Sequence, residues 1–258
     1  MRDTREHGAA GLPGGVAPPN RAGPYRVLAR TRPPPAEPPL ARRRPRAGSA
    51  RNRLRWTFPG VVDRIGGAGV RICVFCGSSG GGDGYLEAAR RVGRTLADRG
   101  IGIVYGGARV GMMGAVADAA LAAGGSVIGV IPQGLVAWEV AHEGLSELHV
   151  VPDLHRRKAL MADLSDAFVA LPGGAGTLEE TFEAWTWGQL GLHAKPVGLL
   201  DVDGYYAPLL RFVDHMVAEG FLRAPYRRML IVESDLDRLL ERCADYRPPD
   251  YTWTETDP

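Results

Sequence analysis

Between Asp166 and Gly188 the chain reads D-A-F-V-A-L-P-G-G-A-G-T-L-E-E-T-F-E-A-W-T-W-G. The apolar run from Ala167 to Leu171 breaks at Pro172-Gly173-Gly174-Ala175-Gly176, and helix-forming residues resume at Thr177. Glycines in such a turn leave backbone N–H groups uncovered, and a helix start behind them adds unpaired N–H groups and the positive end of a dipole. The chemistry of such a place is the binding of an anion, most often a phosphate. Two readings stand side by side for Glu180. With Thr177 as N-cap it completes a Thr-x-x-Glu capping box, or it is a carboxylate placed to act on whatever the turn holds. A second chemical cluster is Asp153-Leu154-His155-Arg156-Arg157-Lys158, where Asp153 suits an N-cap and the cations fall in the first helical turns. That is the unfavourable end of the dipole for positive charge, so the cluster either faces an anion or carboxylate or forms a solvated basic face. A third is Gly106-Gly107-Ala108-Arg109-Val110-Gly111-Met112-Met113-Gly114. Its early glycines suit close approach to a ligand, and its later ones suit a helix start packed against a strand.

The elements that position these groups follow from periodicity. Arg71 to Phe75 is an apolar run rich in strand formers and ends in Cys76-Gly77-Ser78-Ser79. Asp83 to Arg99 carries Leu86, Ala89, Val92, Gly93 and Leu96 on one helical face and stops at Gly100. Ile101 to Tyr105 predicts a second strand, Ala115 to Ala123 a small-residue helix, Ser126 to Ile131 a strand and Leu148 to Val151 another. After the glycine turn, Pro196 to Leu200, Tyr205 to Ala218, Met229 to Val232 and Asp235 to Cys243 predict strand, helix, strand and helix. This alternation argues for an α/β fold, a doubly wound parallel sheet with helices on both faces. Strands of such a sheet end at one rim, and the Ser78-Ser79, Gly106 to Gly114 and Pro172 to Thr177 turns would converge there on one phosphate-bearing ligand. The glycine turn after the second strand differs from the dinucleotide fingerprint, and no acid ends the strand that follows, which argues against NAD.

Composition divides the chain. Residues 1–69 hold fourteen arginines, four acids and eleven of the twenty prolines, whereas the remainder carries a net charge of −8 against an overall +2. Nothing in the leader repeats at helix or strand period, so it is read as disordered. Its arginines permit a nucleic-acid or membrane-surface tail. Its prolines oppose the amphipathic helix of a transit peptide. The preferred explanation is upstream sequence translated from too early a start, with a folded domain at 70–245 and a tail at 246–258. No apolar run approaches the ~20 residues of a membrane span. Three cysteines do not build a disulfide framework, which points to a cytoplasmic protein. Cys73 and Cys76 on a strand point to opposite faces, and the six histidines show no metal-ligand spacing.

With those residues in view, the chain resembles the LOG ("Lonely Guy") family of cytokinin riboside 5′-monophosphate phosphoribohydrolases. The likeness runs from Val70 to about Cys243. It includes Arg71-Ile72-Cys73-Val74-Phe75-Cys76-Gly77-Ser78-Ser79, the Tyr105-Gly106-Gly107 turn through Gly111-Met112-Met113-Gly114, and His155-Arg156-Arg157-Lys158. The family's P-G-G-x-G-T-x-x-E stands at Pro172 to Glu180, and Trp187-Gly188-Gln189-Leu190-Gly191 through Lys195-Pro196-Val197-Gly198 continues it. The resemblance implies a Rossmann-like fold and cleavage of the N-glycosidic bond of an adenosine 5′-monophosphate, usually N6-prenylated, to free base and ribose 5-phosphate. It implies Arg157 and Glu180 as the catalytic pair and a phosphate cradle from Gly173 through Gly174 and Gly176 to Thr177. Ser79, Gly107, Gly111, Met113 and Lys158 are assigned to ligand contact, with no cofactor and no metal. A homodimer or higher homo-oligomer is implied, with the active sites near the subunit interface.

Three rival readings bear on the same residues. A carrier of a phosphate-bearing cofactor such as molybdenum cofactor would use the same rim without catalysis. A lysine decarboxylase would need a Schiff-base lysine, and the chain has only Lys158 and Lys195. Nucleic-acid binding rests on the leader alone and is opposed by the −8 of the remainder. The leaving base, adenine or N6-prenylated adenine, is open; Leu135, Val136, Trp138 and Trp185 are the apolar candidates to line a pocket for an N6 tail.

Overall fold

The computed structural model describes residues 69–136 and 141–249. The leader up to residue 68, Trp138 and the tail from residue 250 lie outside the described residues, and with them the expectations placed there.

Among the described residues seven strands, β1 (Arg71–Phe75), β2 (Gly102–Tyr105), β3 (Val127–Pro132), β4 (Glu147–Val151), β5 (Ala167–Ala170), β6 (Val197–Leu200) and β7 (Leu230–Glu233), form one sheet in the order β4-β3-β2-β1-β5-β6-β7. Every pairing is parallel. The sequence dictates this, because the inner strands are continuous apolar runs with no polar alternate face and must be covered on both sides. β1 is central: Cys73 sits between Val104 of β2 and Phe168 of β5.

The covering helices are α1 (Asp83–Asp98), α2 (Gly111–Ala122), α3 (Leu154–Asp163), α4 (Ala175–Gln189), α5 (Ala207–Ala218), the short α6 (Ala224–Arg227) and α7 (Leu236–Ala244). Their buried residues fall into two clusters, one per sheet face. Residues of α1, α2 and α7 pack with Ile72, Val74 and Val169, and residues of α3, α4 and α5 pack with Cys73, Phe75 and Phe168. Adjacent residues of β1 thus serve opposite faces, and Cys73 and Cys76 lie in different clusters, as the strand period requires. The three cysteines are free and buried, and burial raises each thiol pKa, that of Cys243 to about 12. Close crossing of α1 and α2 depends on Gly93, where a Cβ would lie 2.3 Å from the Val116 carbonyl oxygen.

The chain builds outward from β1 to β4, then returns through α3 to β5 on the other side of β1. The carboxyl ends of β1 and β5 therefore border the point where winding reverses, the crevice in which such sheets bind ligands. Element limits shift by a residue or two from those expected, and α2 begins at Gly111, so the later glycines of the second turn lie in the helix start expected of them. Trp185 is 2 % exposed, stacks edge-on against Phe182 and donates to the Tyr226 carbonyl, so it belongs to the core and does not line a base pocket.

Candidate active site at the sheet rim

Asp153 caps α3 by accepting from the Arg156 N–H at 2.8 Å, which fixes the helix start that carries Arg157 as its fourth residue. The Arg157 side chain runs back over the sheet. Its Nε donates to the Val130 carbonyl and its Nη2 to the Gly106 carbonyl, both at 3.1 Å. Two bonds in one plane orient a guanidinium where they could not orient an ammonium. Glu180 Oε1 lies 3.9 Å from the same Nη2. That separation is an ion contact beyond hydrogen-bond length. Because Arg157 and Glu180 are only 5 % and 9 % exposed, their mutual field is little screened. The first residue after β2 supplies the space: at Gly106 a Cβ would lie 2.0 Å from Arg157 Nη2 and 3.3 Å from Met113 Cε. Met113 is thereby placed both in the core and beside the arginine.

The turn after β5 is built on the loop after β1. Gly77 N–H donates to the Pro172 carbonyl at 3.2 Å, and a Cβ on Gly173 would stand 2.1 Å from Thr177 Oγ1 and 2.8 Å from Gly77 N. Gly173 is therefore a packing requirement. Gly174 and Gly176 are not, since a Cβ on either would meet nothing within 4 Å. The backbone at those two positions is exposed and open on its outer side. Helix α4 starts at Ala175 with Gly174 as its N-cap and with no side-chain cap. This corrects the capping-box reading: Thr177 is the third helical residue and Glu180 lies in the second turn. The helix reaches further back than expected because Ala175 and Gly176 are sterically free to join it. With no side chain capping it, the start of α4 presents the open amides an anion needs.

The other rim loops lie against this centre. Met112 N–H and Met113 N–H donate to the Gly77 carbonyl at 3.1 and 3.3 Å, so the start of α2 is joined to the β1 loop through the backbone. Gly111, at φ +58°, permits this, because a Cβ there would be 2.2 Å from the Ser78 carbonyl oxygen. Ser79 is exposed on the same loop and accepts from Met112 N–H at 3.4 Å. Gly107, at φ +82°, packs on Ile131 of β3 and accepts from the His142 N–H. Arg157, Glu180, Met113 and Gly107 are thus gathered around Gly106, and Gly173 and Thr177 around Gly77.

Lys158 points elsewhere than its neighbour. Its ammonium contacts Glu179 and, at 2.9 Å, Glu183, two carboxylates one turn apart on α4. Burial pulls its pKa down, and the two carboxylates outweigh that, leaving it above the ordinary lysine value. Glu179 and Glu183 went unread as partners; their i, i+4 spacing on the helix that carries Glu180 was the available signal. Also unread was Tyr205, whose hydroxyl donates to the Gly173 carbonyl at 2.5 Å across 32 residues of sequence. No short-range pattern reports such a contact.

Among known proteins, a family model described as "Possible lysine decarboxylase" matches residues 113–243. A probable cytokinin riboside 5′-monophosphate phosphoribohydrolase of Oryza sativa subsp. japonica is 50 % identical over 185 residues, 71 % of this chain and 75 % of that protein. The cytokinin riboside 5′-monophosphate phosphoribohydrolase of Rhodococcoides fascians is 53 % identical over 168 residues, 64 % of this chain and 85 % of its own. One from Arabidopsis thaliana is 50 % identical over 179 residues, 69 % of this chain and 82 % of its own. Among solved structures, a molybdenum cofactor binding protein from Rippkaea orientalis superposes with a TM-score of 0.53 at 22 % identity, covering 67 % of this chain and 93 % of that one. The molybdenum cofactor carrier protein of Chlamydomonas reinhardtii does so with 0.51 at 23 %, covering 67 % and 94 %. At these identities the structural likeness speaks for the fold alone.

Proposed function

Given that the chain belongs to the LOG family of cytokinin riboside 5′-monophosphate phosphoribohydrolases, we propose that it hydrolyses the N-glycosidic bond of adenosine 5′-monophosphate or its N6-modified forms, releasing free base and ribose 5-phosphate. The observation that carries the reading is the buried Arg157–Glu180 pair, 3.9 Å apart, on the helices next to the open Gly174–Gly176 turn. The responsible unit is residues 70–245.

The phosphate is held by the amides at the start of α4, with Gly173, Gly174, Gly176 and Thr177 forming the cradle. The ribose then extends toward Glu180, one helical turn on from Thr177. As the C1′–N9 bond breaks, its electron pair leaves with the base and positive charge builds on the sugar ring. The Glu180 carboxylate stabilises that charge and accepts a proton from the water whose oxygen bonds to C1′. The departing base takes up a proton from solvent. Arg157, held by two carbonyls, sets a fixed positive charge beside Glu180 and so orients it. Lys158 supports the site through Glu179 and Glu183, and Ser79, Gly107, Gly111 and Met113 shape the walls.

Incubation with AMP and with N6-isopentenyl-AMP, followed by assay of base and ribose 5-phosphate, tests this. Release of neither product from either nucleotide refutes the reading. Lysine decarboxylation, the chemistry in the matched family's description, fits these residues poorly. Lys158 is held by two carboxylates, and Lys195 donates to the Ala162 carbonyl just before β6, at the end of the sheet opposite the rim. Carriage of a molybdenum cofactor would leave the Arg157–Glu180 pair without a task. The assembly we propose is a homodimer or higher homo-oligomer in the cytoplasm. No helix among the described residues is long and apolar enough to cross a membrane.

A further inference from the structure

Beyond β6 the chain makes a turn of unusual shape. Asp203 has φ +52° and ψ +33°, the only left-handed non-glycine among the described residues, and Gly204 follows at φ +74°. Aspartate tolerates this region better than most residues, yet the conformation is costly and such outliers concentrate at functional sites. The turn is braced by Asp201, whose Oδ1 accepts from the Tyr206 N–H at 2.7 Å. Its product is a pair of adjacent tyrosines that both reach the β5 turn. Tyr206 Oη donates to the Leu171 carbonyl and Tyr205 Oη to the Gly173 carbonyl, each at 2.5 Å.

The two rings meet edge to face with centroids 5.2 Å apart, and Tyr205 meets Tyr85 of α1 the same way at 5.6 Å. Tyr85 in turn lies under the β1 loop, 2.9 Å from where a Cβ on Gly81 would be. Three rim loops, those after β1, β5 and β6, are thus tied together at Tyr205.

The two hydroxyls do different things because the residues that succeed their acceptor carbonyls differ. In a planar trans peptide the C=O and the next residue's N–H point in opposite directions. The Leu171 carbonyl shares its peptide unit with Pro172, which has no N–H, so Tyr206 can anchor the turn but cannot aim a donor. The Gly173 carbonyl shares its unit with Gly174, the N-cap of α4, whose outer side is open. Holding that carbonyl therefore also fixes the direction of the Gly174 N–H.

We propose that Tyr205 is a positioning residue of the phosphate cradle: by holding the Gly173 carbonyl it locks the Gly173–Gly174 peptide with its N–H facing the substrate's phosphate. The inference rests on the assignment of this turn to phosphate. Neither glycine has a side chain to resist rotation of that peptide, so an external clamp is what preorganises it. Tyr205 is 39 % exposed, whereas Tyr206 is 1 % exposed, so the first hydroxyl can be removed with little effect on the core and the second cannot.

The test uses the full chain with Tyr205→Phe and Tyr206→Phe, measuring kcat and KM for AMP, inhibition by ribose 5-phosphate, and Tm. Tyr205→Phe is expected to raise both KM for AMP and Ki for ribose 5-phosphate about threefold to tenfold, the worth of one neutral hydrogen bond, with kcat and Tm nearly unchanged. Tyr206→Phe is expected to lower Tm and leave both constants near wild type. Unchanged KM and Ki in Tyr205→Phe would overturn the proposal, as would a kcat loss with KM untouched. If the wild-type chain does not cleave AMP, hydrolysis is what has failed. The calorimetric Kd of AMP then carries the test, a rise of the same size in Tyr205→Phe supporting the clamp and an equal Kd overturning it.

Discussion

Alanine at Gly106 should silence the enzyme without touching a group that meets substrate. The glycine's φ lies outside the left-handed region, so the backbone itself accepts an alanine. The obstacle is the neighbour: the new methyl would stand 2.0 Å from Arg157 Nη2 and 3.1 Å from its Cζ. Ordinary contact between such atoms needs about 3.5 Å, so the guanidinium must retreat by roughly 1.5 Å. It cannot do so freely, being 5 % exposed and bonded through Nε to Val130. The retreat breaks the bond to the Gly106 carbonyl and moves the charge that orients Glu180. Misplacement by about 1 Å at a reacting centre is worth roughly 10²-fold, so kcat should fall by about that much or more, with a smaller change in KM. Overpacking should lower stability by roughly 1–3 kcal/mol, which leaves a folded population to assay. Adenine release from saturating AMP, with circular dichroism as a check on folding, measures it. Wild-type kcat in a folded Gly106→Ala variant would refute the placement of Arg157 in the mechanism.

Glu180→Gln keeps the shape of the side chain and removes its basicity, so AMP cleavage should fall by about 10²- to 10⁴-fold with Tm preserved; a loss under tenfold, measured as initial rates, would remove it as general base. Lys158→Met strips the shared cation from Glu179 and Glu183, and a denaturation midpoint should reveal a loss of about 1–3 kcal/mol, with kcat falling as α3 and α4 loosen; wild-type stability would show the contact to be idle. His193 is buried with Nε2 on the Ala184 carbonyl and Nδ1 accepting from the Lys195 N–H, and burial first, then Lys195, holds its pKa down at about 4. A histidine kept neutral by the fold contributes stability that is complete above its unfolded value of about 6.5 and is lost as pH falls toward 4, a swing of about 3 kcal/mol. Urea titrations across that window should show the decline, and His193→Gln should flatten it; an identical slope in the variant would assign the decline to other groups.

The parallel sheet was legible because its signals are local and repeated. Uninterrupted runs such as Ile72 to Phe75 declare burial on both faces, and Asp153 announces the helix it caps. The strand, glycine turn and helix of β5 and α4 were legible for the same reason. Gly111 and Gly114 read as glycines of a closely packed helix start, and both lie inside α2, where Cβ atoms would strike the carbonyls of Ser78 and Arg109. What local pattern misjudged was the start of α4. Thr177 read as a cap because Thr-x-x-Glu fits one, but the freedom of Gly174 lets the helix start earlier. The contacts that fix the site, Arg157 on Gly106, Lys158 on α4 and Tyr205 on Gly173, span 51, 21 and 32 residues, and such distances leave no periodic trace in a single sequence.

A crystal structure of the Glu180→Gln variant soaked with AMP would probe the site most decisively. The phosphate should lie on the amides of Gly173 to Thr177, with C1′ of the ribose beside residue 180. A nucleotide bound with its phosphate away from that turn, or with its sugar out of reach of residues 157 and 180, would contradict the proposed site.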